Sequence, residues 1–288
     1  MKHILTLLLI LSTIAGNAQF IVGERYHMPD KQTTIDYSVL SVNYHYKYMN
    51  DTVKKSYRND LFALEIGLKS SRFYSLYAKR IDSITYVQLH SDAERIQNKS
   101  WMSRDQYANY FDILMNYPAK NILLYIFQVC ETSYRYYEEI PKMDWQVQEG
   151  TKKILGYECK TATTEFRGNR FTVWYAPALE YSLGHWKFNG LPGLVLEVYD
   201  DRRFFHFLAK SIDSEKKPIY TYKHNYKEVS RKEILKMQEL MYKSPSELSE
   251  KYGGKTFMGT IIIDRKKGTS TVSKEGLTYP YIPPLEKQ

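Results

Sequence analysis

The sequence predicts an α+β fold: a strongly curved antiparallel β-sheet, half-barrel-like in shape, with a few covering helices. Three observations predict it. Apolar and aromatic residues recur at spacing two along much of the chain, as strand faces require. In the first such run the phase slips: Ile35, Tyr37 and Val39 share one face, while Val42, Tyr44, Tyr46 and Tyr48 share the other. One clear helical signature stands late in the chain, the capping box Ser230-Arg231-Lys232-Glu233.

The phase slip near Leu40-Ser41 predicts a β-bulge in a long bent strand, the device a strongly curved sheet uses. Further strands are expected at about 61–68, 122–129, 133–139, 144–149, 153–166, 170–176, 194–199, 203–212 and 219–226. Glu149-Gly150, Arg167-Gly168-Asn169 and Asp200-Asp201 supply turn chemistry between them. After Ser230, the residues Ile234, Met237, Leu240 and Met241 fall on one helical face, to about Tyr242. Ser244-Pro245-Ser246-Glu247 opens a second short helix with proline at its favoured first position. Weaker helical patterns cover Ser103 to Met115 and part of 73–97. Strand order is not legible.

The stretch Gly184-His185-Trp186-Lys187-Phe188-Asn189-Gly190-Leu191-Pro192-Gly193-Leu194 interrupts the strands. Pro192 lacks a backbone donor and pushes Leu191 toward extended geometry, so no helix passes through it. Its glycines permit positive φ or a close backbone approach. The expected role is a turn that presents Trp186 and Phe188 and launches the strand beginning at Leu194. A second reading has Gly190 admitting a ligand close to the backbone. The segment Gly190-Leu191-Pro192-Gly193-Leu194, with Val195 following, resembles the signature of the GLPGLI family of secreted or envelope proteins. Ile154 to Ala162 and Phe171 to Tyr175 resemble other segments of that family, whereas His185 stands where a proline is expected. The resemblance implies an exported protein and no particular activity.

Residues 2–18 read as an export signal: Lys2 and His3, then an apolar run to Ile14, then Gly16-Asn17-Ala18. The run is too short to span a bilayer, and no later segment is long and apolar enough. Residues 19–288 are therefore expected to form one exported domain, periplasmic or secreted. The net charge of +9 suits an envelope or lipid surface. The basic run Arg265-Lys266-Lys267 reads as a solvated turn, and no basic-aromatic module points to nucleic acid. Cys130 and Cys159 are the two cysteines. A single disulfide and two separately buried thiols are the competing readings.

Tyrosine supplies 27 of the 43 aromatic residues, so aromatic strand faces are the natural candidates for binding. Trp145, Trp174, Trp186, Phe188 and Gly190 are the ligand-binding candidates; the competing reading makes the aromatics ordinary core. His185 and His206, with Glu197, Asp200 and Asp201 nearby, would be needed for a metal site, but no ligand spacing supports one. No elbow, P-loop or dinucleotide motif is present, so no catalytic residue, metal or cofactor is assigned. The leading expectation is a non-enzymatic carrier or binding protein of the envelope, holding a lipid, peptide or other amphipathic ligand in a cavity. Two alternatives are an envelope-associated hydrolase and a structural partner of envelope proteins. The hydrolase reading requires a polar cleft with at least two acids or a histidine converging near the Trp174 and Trp186 region.

Overall fold

Strand β1 (Gln32–Asp51) organises the sheet, and its bulges do what the phase slip foretells. Ser38 and Leu40 pair with consecutive residues Gly67 and Ile66, leaving Val39 as the extra residue, and a second shift lies between Asn43 and Tyr44. Beyond the first bulge, Leu40, Val42, Tyr44, Tyr46 and Tyr48 are all buried on one face. Before it, Ile35 packs on the opposite face against a small second cluster of Leu114, Leu124 and Ile126. The computed structural model describes residues 31–90, 106–129, 132–252, 260–264, 269–273 and 284–287. The export-signal residues, Cys130 and the 265–267 basic run lie outside them.

The remaining strands are β2 (Ser56–Gly67), β3 (Ser71–Ser75), β4 (Phe111–Met115), β5 (Ile122–Val129), β6 (Thr132–Glu139), β7 (Gln146–Ile154), β8 (Tyr157–Phe166), β9 (Asn169–Ala176), β10 (Leu194–Asp200), β11 (Phe205–Asp213), β12 (Pro218–Tyr222) and β13 (Lys227–Glu228). They form a 13-stranded sheet in the order β13-β6-β5-β4-β3-β2-β1-β11-β10-β9-β8-β7, with β12 paired to the first part of β1. All pairings are antiparallel except β13 with β6. β14 (Thr260–Asp264) and β15 (Thr269–Ser273) make a separate hairpin. The helices are α1 (Leu76–His90), α2 (Arg231–Lys243) and α3 (Pro245–Tyr252).

This corrects the expected α+β half-barrel. Among the described residues strand accounts for 55% and helix for 15%, and the sheet ends at β13 and β7 without closing. Two physical reasons stand out. The 103–115 segment ends in strand β4, because Ile113 and Met115 alternate into the core between β3 and β5. The bend in β1 also turns its first residues aside to pair with β12, where rolling the sheet into a barrel would have kept them with β2. Similarly, Glu149-Gly150 is a bulge within β7 instead of a turn; the chain reverses at Leu155-Gly156. Arg167 and Gly168, with φ of 46° and 78°, do make the expected tight hairpin.

Ser230 Oγ accepts from the Glu233 backbone N–H at 3.2 Å, so the capping box holds α2 as the sequence indicates. Ile234, Met237 and Leu240 are its buried stripe. Among the described residues no helix is long and apolar enough to cross a membrane.

The core is filled by rings. Tyr46 stacks on Phe207 at 4.0 Å and on Tyr48 at 4.9 Å, and Phe62 stacks on Phe73 at 4.6 Å. The loop 177–193 folds into this core, adding Trp186 and Phe188, both essentially without solvent contact. Each such burial stabilises the fold by about 2–3 kcal/mol. Among the described residues these side chains fill the interior positions where an apolar cargo was expected.

Candidate functional site

The Gly-Leu-Pro-Gly segment is a structural plug. Gly190 and Gly193 have φ of 86° and 150°, and the Gly190 and Leu194 amides donate to Ser182 and Leu179 carbonyls at 2.9 Å each. Trp145 Nε1 donates to the Asn189 carbonyl at 2.7 Å, tying β7 to the plug. Trp186 lies edge-on to Phe166, and Phe188 edge-on to Phe171. Three of the expected ligand-binding residues, Trp186, Phe188 and Gly190, therefore belong to this plug, and half-buried Trp145 braces it.

Two charged or polar residues of the plug are wholly buried. Lys187 Nζ reaches Glu138 at 2.8 Å, Glu286 at 2.9 Å and the Tyr136 hydroxyl at 2.8 Å. His185 is enclosed by Tyr44, Phe207, Phe188 and Phe73, with neither ring nitrogen hydrogen-bonded. Burial alone pushes its pKa down to about 3. The folded protein thus keeps His185 neutral where the unfolded chain, with an ordinary value near 6.5, takes up a proton. Protons favour the unfolded state in that window, and stability falls as pH drops from about 6.5 toward 3. His185→Phe removes this dependence. The stability difference between wild type and His185→Phe is expected to shift by about 2 kcal/mol between pH 7 and pH 5, in favour of the variant at low pH. Denaturant titrations at the two pH values measure it; a difference that does not move with pH would show that His185 is not a buried neutral group.

The outer face of the sheet, opposite the plug, carries a different constellation. In β9, Phe171, Val173 and Tyr175 point into the core, so Thr172 and Trp174 point outward. A bulge at Leu196 sets Glu197 opposite Trp174, and the β10–β11 hairpin sets Tyr199 opposite His206. His206 Nε2 lies 2.8 Å from Glu197 Oε1. A carboxylate only accepts, so Nε2–H is the donor and Nδ1 is left as an acceptor. The other Glu197 oxygen pairs with Lys152, whose ammonium sits over the Trp174 ring at 4.3 Å. Burial, together with Arg203, Lys152, Lys47 and Lys210, lowers the pKa of His206 to about 4. Because Lys152 already answers the Glu197 charge, the imidazole stays neutral beside it. Burial likewise moves Lys152 below its ordinary value. A neutral imidazole oriented by a carboxylate, next to an indole ring, is equipped to take a proton from water.

Other candidates resolve as structural. Cys159 is a buried free thiol whose pKa burial raises, so it is a poor nucleophile. Asp200 is buried and accepts from the Phe205 amide at 2.8 Å, and His185 lies across the sheet from His206. Among the described residues no group of three or more metal-ligating side chains converges. Asp60 has its pKa raised to about 7 by burial, against the pull of Asn109, Ser75 and Leu61 donors. Its oxygens are taken by four such hydrogen bonds, and Ser75 in turn caps α1 through the Ala78 amide. Asp60 is an anchor for that helix. Lys152 was not singled out by the sequence, since nothing local marks a lysine on an edge strand as the partner of a glutamate 45 residues away.

A family model described as "N-glycanase peptide, N-terminal domain" matches residues 117–244. A search of curated proteins returns no match. Two solved structures, "Structure of PNGF-II in P21 space group" and "Structure of PNGF-II in C2 space group", each align with a TM-score of 0.47. Their sequence identities are 16% and 15%, covering 73% of this chain and 34% and 33% of theirs. The chain thus spans about a third of the length of the structures it matches. These findings replace the GLPGLI assignment, which nothing in them supports. The segment that suggested it, Gly190 to Leu194, lies inside the matched region and is accounted for by a turn geometry.

Proposed function

We propose that this chain is a glycan-acting protein of hydrolase type, with its reaction on the outer face of the sheet. The carrier expectation is set aside: the family match names a glycanase domain, and Trp186 and Phe188 are core residues. The observation that carries the proposal is the Glu197–His206 pair at 2.8 Å beside Trp174, all three within the matched residues. It answers part of the expectation for an envelope hydrolase, a histidine near Trp174, while Trp186 lies in the core instead; the signal pattern of residues 2–18 supports an envelope setting. Trp174 offers its ring to a sugar face. His206 Nδ1 takes the proton from a water whose oxygen bonds to the carbon of the scissile linkage. As that linkage breaks, the imidazolium returns the proton to the leaving group, and Glu197 steadies the ring throughout.

The test is release of glycan from a glycopeptide by the full chain, read by mass spectrometry. Glu197→Gln and His206→Gln are each expected to lower kcat at least about 100-fold, and Trp174→Ala to raise KM. With a pKa near 4 for His206, wild-type turnover persists at pH 5 and fails below pH 4. No release by the wild type, or undiminished release by both variants, overturns the proposal.

A further inference from the structure

Around Glu197 the outer face holds more cations than that carboxylate pairs with. Three aromatic rings on it are each topped by a cation: Lys152 over Trp174 at 4.3 Å, Arg203 over Tyr199 at 3.4 Å, and Lys47 over Tyr57 at 4.5 Å. Strand register gathers them. Lys47 on β1 is the cross-strand neighbour of His206 on β11, which neighbours Tyr199 on β10. Lys47 and Arg203 are exposed, as is Lys210 close by on β11. Among the described residues none of these three cations forms an ion pair, whereas Glu197 is already engaged by Lys152 and His206.

We infer that the glycan this face takes is an acidic one, bearing carboxylate or sulfate groups on its sugars. The inference rests on reading the face as a glycan site. A neutral sugar would offer no anionic group to Lys47, Arg203 and Lys210, which have no carboxylate partner among the described residues. An acidic glycan brings its anionic groups to the exposed cations Lys47, Arg203 and Lys210, two of which lie over aromatic rings. Tyr199 and Trp174 lie on adjacent strands as diagonal neighbours, Trp174 facing Glu197 and Tyr199 facing Thr172.

Calorimetry of the full chain compares an oligogalacturonate with a neutral glucan oligomer of equal length, at low and at physiological ionic strength. The acidic oligomer is expected to bind at least about tenfold tighter at low salt, the gap narrowing as salt screens the exposed cations. Lys47→Gln and Arg203→Gln should each weaken it about threefold while leaving the neutral oligomer unchanged. Equal affinity for the two oligomers overturns the acidic preference but leaves the glycan reading standing. Failure of both oligomers to bind removes both. A single-stranded DNA of matched charge binding as tightly as the oligogalacturonate also overturns the inference, since charge alone would then suffice.

Discussion

Lys187→Met is expected to destabilise the protein by about 3 kcal/mol, a fall of roughly 6–12 °C in Tm for a domain of this size. Lys187 has no solvent contact, and its ammonium is bound by Glu138, Glu286 and the Tyr136 hydroxyl. Burial pulls its pKa below the ordinary lysine value, while Glu286 and Glu138 pull it back up. Methionine fills the volume but withdraws the charge shared by buried Glu286 and part-buried Glu138. Arg167 remains bonded to both carboxylates, and Arg231 lies 3.5 Å from Glu286. Their presence keeps the expected loss at the lower end of the range for a broken buried pair. The loss should shrink when Glu286→Gln is added, because the second change removes one stranded charge. Thermal melts of the two single variants and the double variant measure the coupling. Additive losses would mean that Lys187 and Glu286 act independently, contrary to their 2.9 Å contact.

Gly193→Val should cost about 4 kcal/mol, whereas Gly190→Ala, three residues away, should cost about 1 kcal/mol. Both glycines have positive φ, so both substitutions meet backbone strain. Their surroundings differ. A Cβ on Gly193 would stand 2.4 Å from the Ala176 carbonyl oxygen and 2.8 Å from Pro177 Cα, backbone atoms at the end of β9 that cannot swing aside. A Cβ on Gly190 meets only the Trp145 ring nitrogen, at an ordinary 3.8 Å. The close approach at Gly193 lets β10 start hard against the end of β9, which in turn places Glu197 opposite Trp174. Gly193→Val should therefore also disturb the outer-face site. Chemical denaturation of the two variants settles the contrast; comparable losses at both positions would show that φ alone governs them.

The candidate site was half legible in the sequence. His206 and Glu197 could be marked, because a short hairpin around Asp200-Asp201 brings them near one another, and Trp174 could be marked as an aromatic on a strand. What hid the rest was side. Trp174 and Trp186 look equivalent in the chain, yet strand alternation turns Trp174 outward, while a loop with no period of its own carries Trp186 into the core. The aromatic set therefore splits between a plug and a platform. The same blindness produced the carrier expectation, since a sequence rich in aromatic strand faces cannot show that its own loop fills the space between them.

By itself the sequence determined the strands at 122–129, 133–139, 170–176 and 194–199, the bend in β1, the Arg167-Gly168 hairpin, the Ser230 cap and the conformational demand at Gly193. Each of these is set within a few residues, by side-chain alternation, by a hydroxyl reaching an amide three positions on, or by the absence of a Cβ. Only the tertiary structure decided that β1 sits between β2 and β11, that Lys152 meets Glu197, and that Glu286 reaches Lys187 from 99 residues away. Pairing between distant strands depends on which buried faces fit together across the whole sheet, and no local pattern encodes that fit.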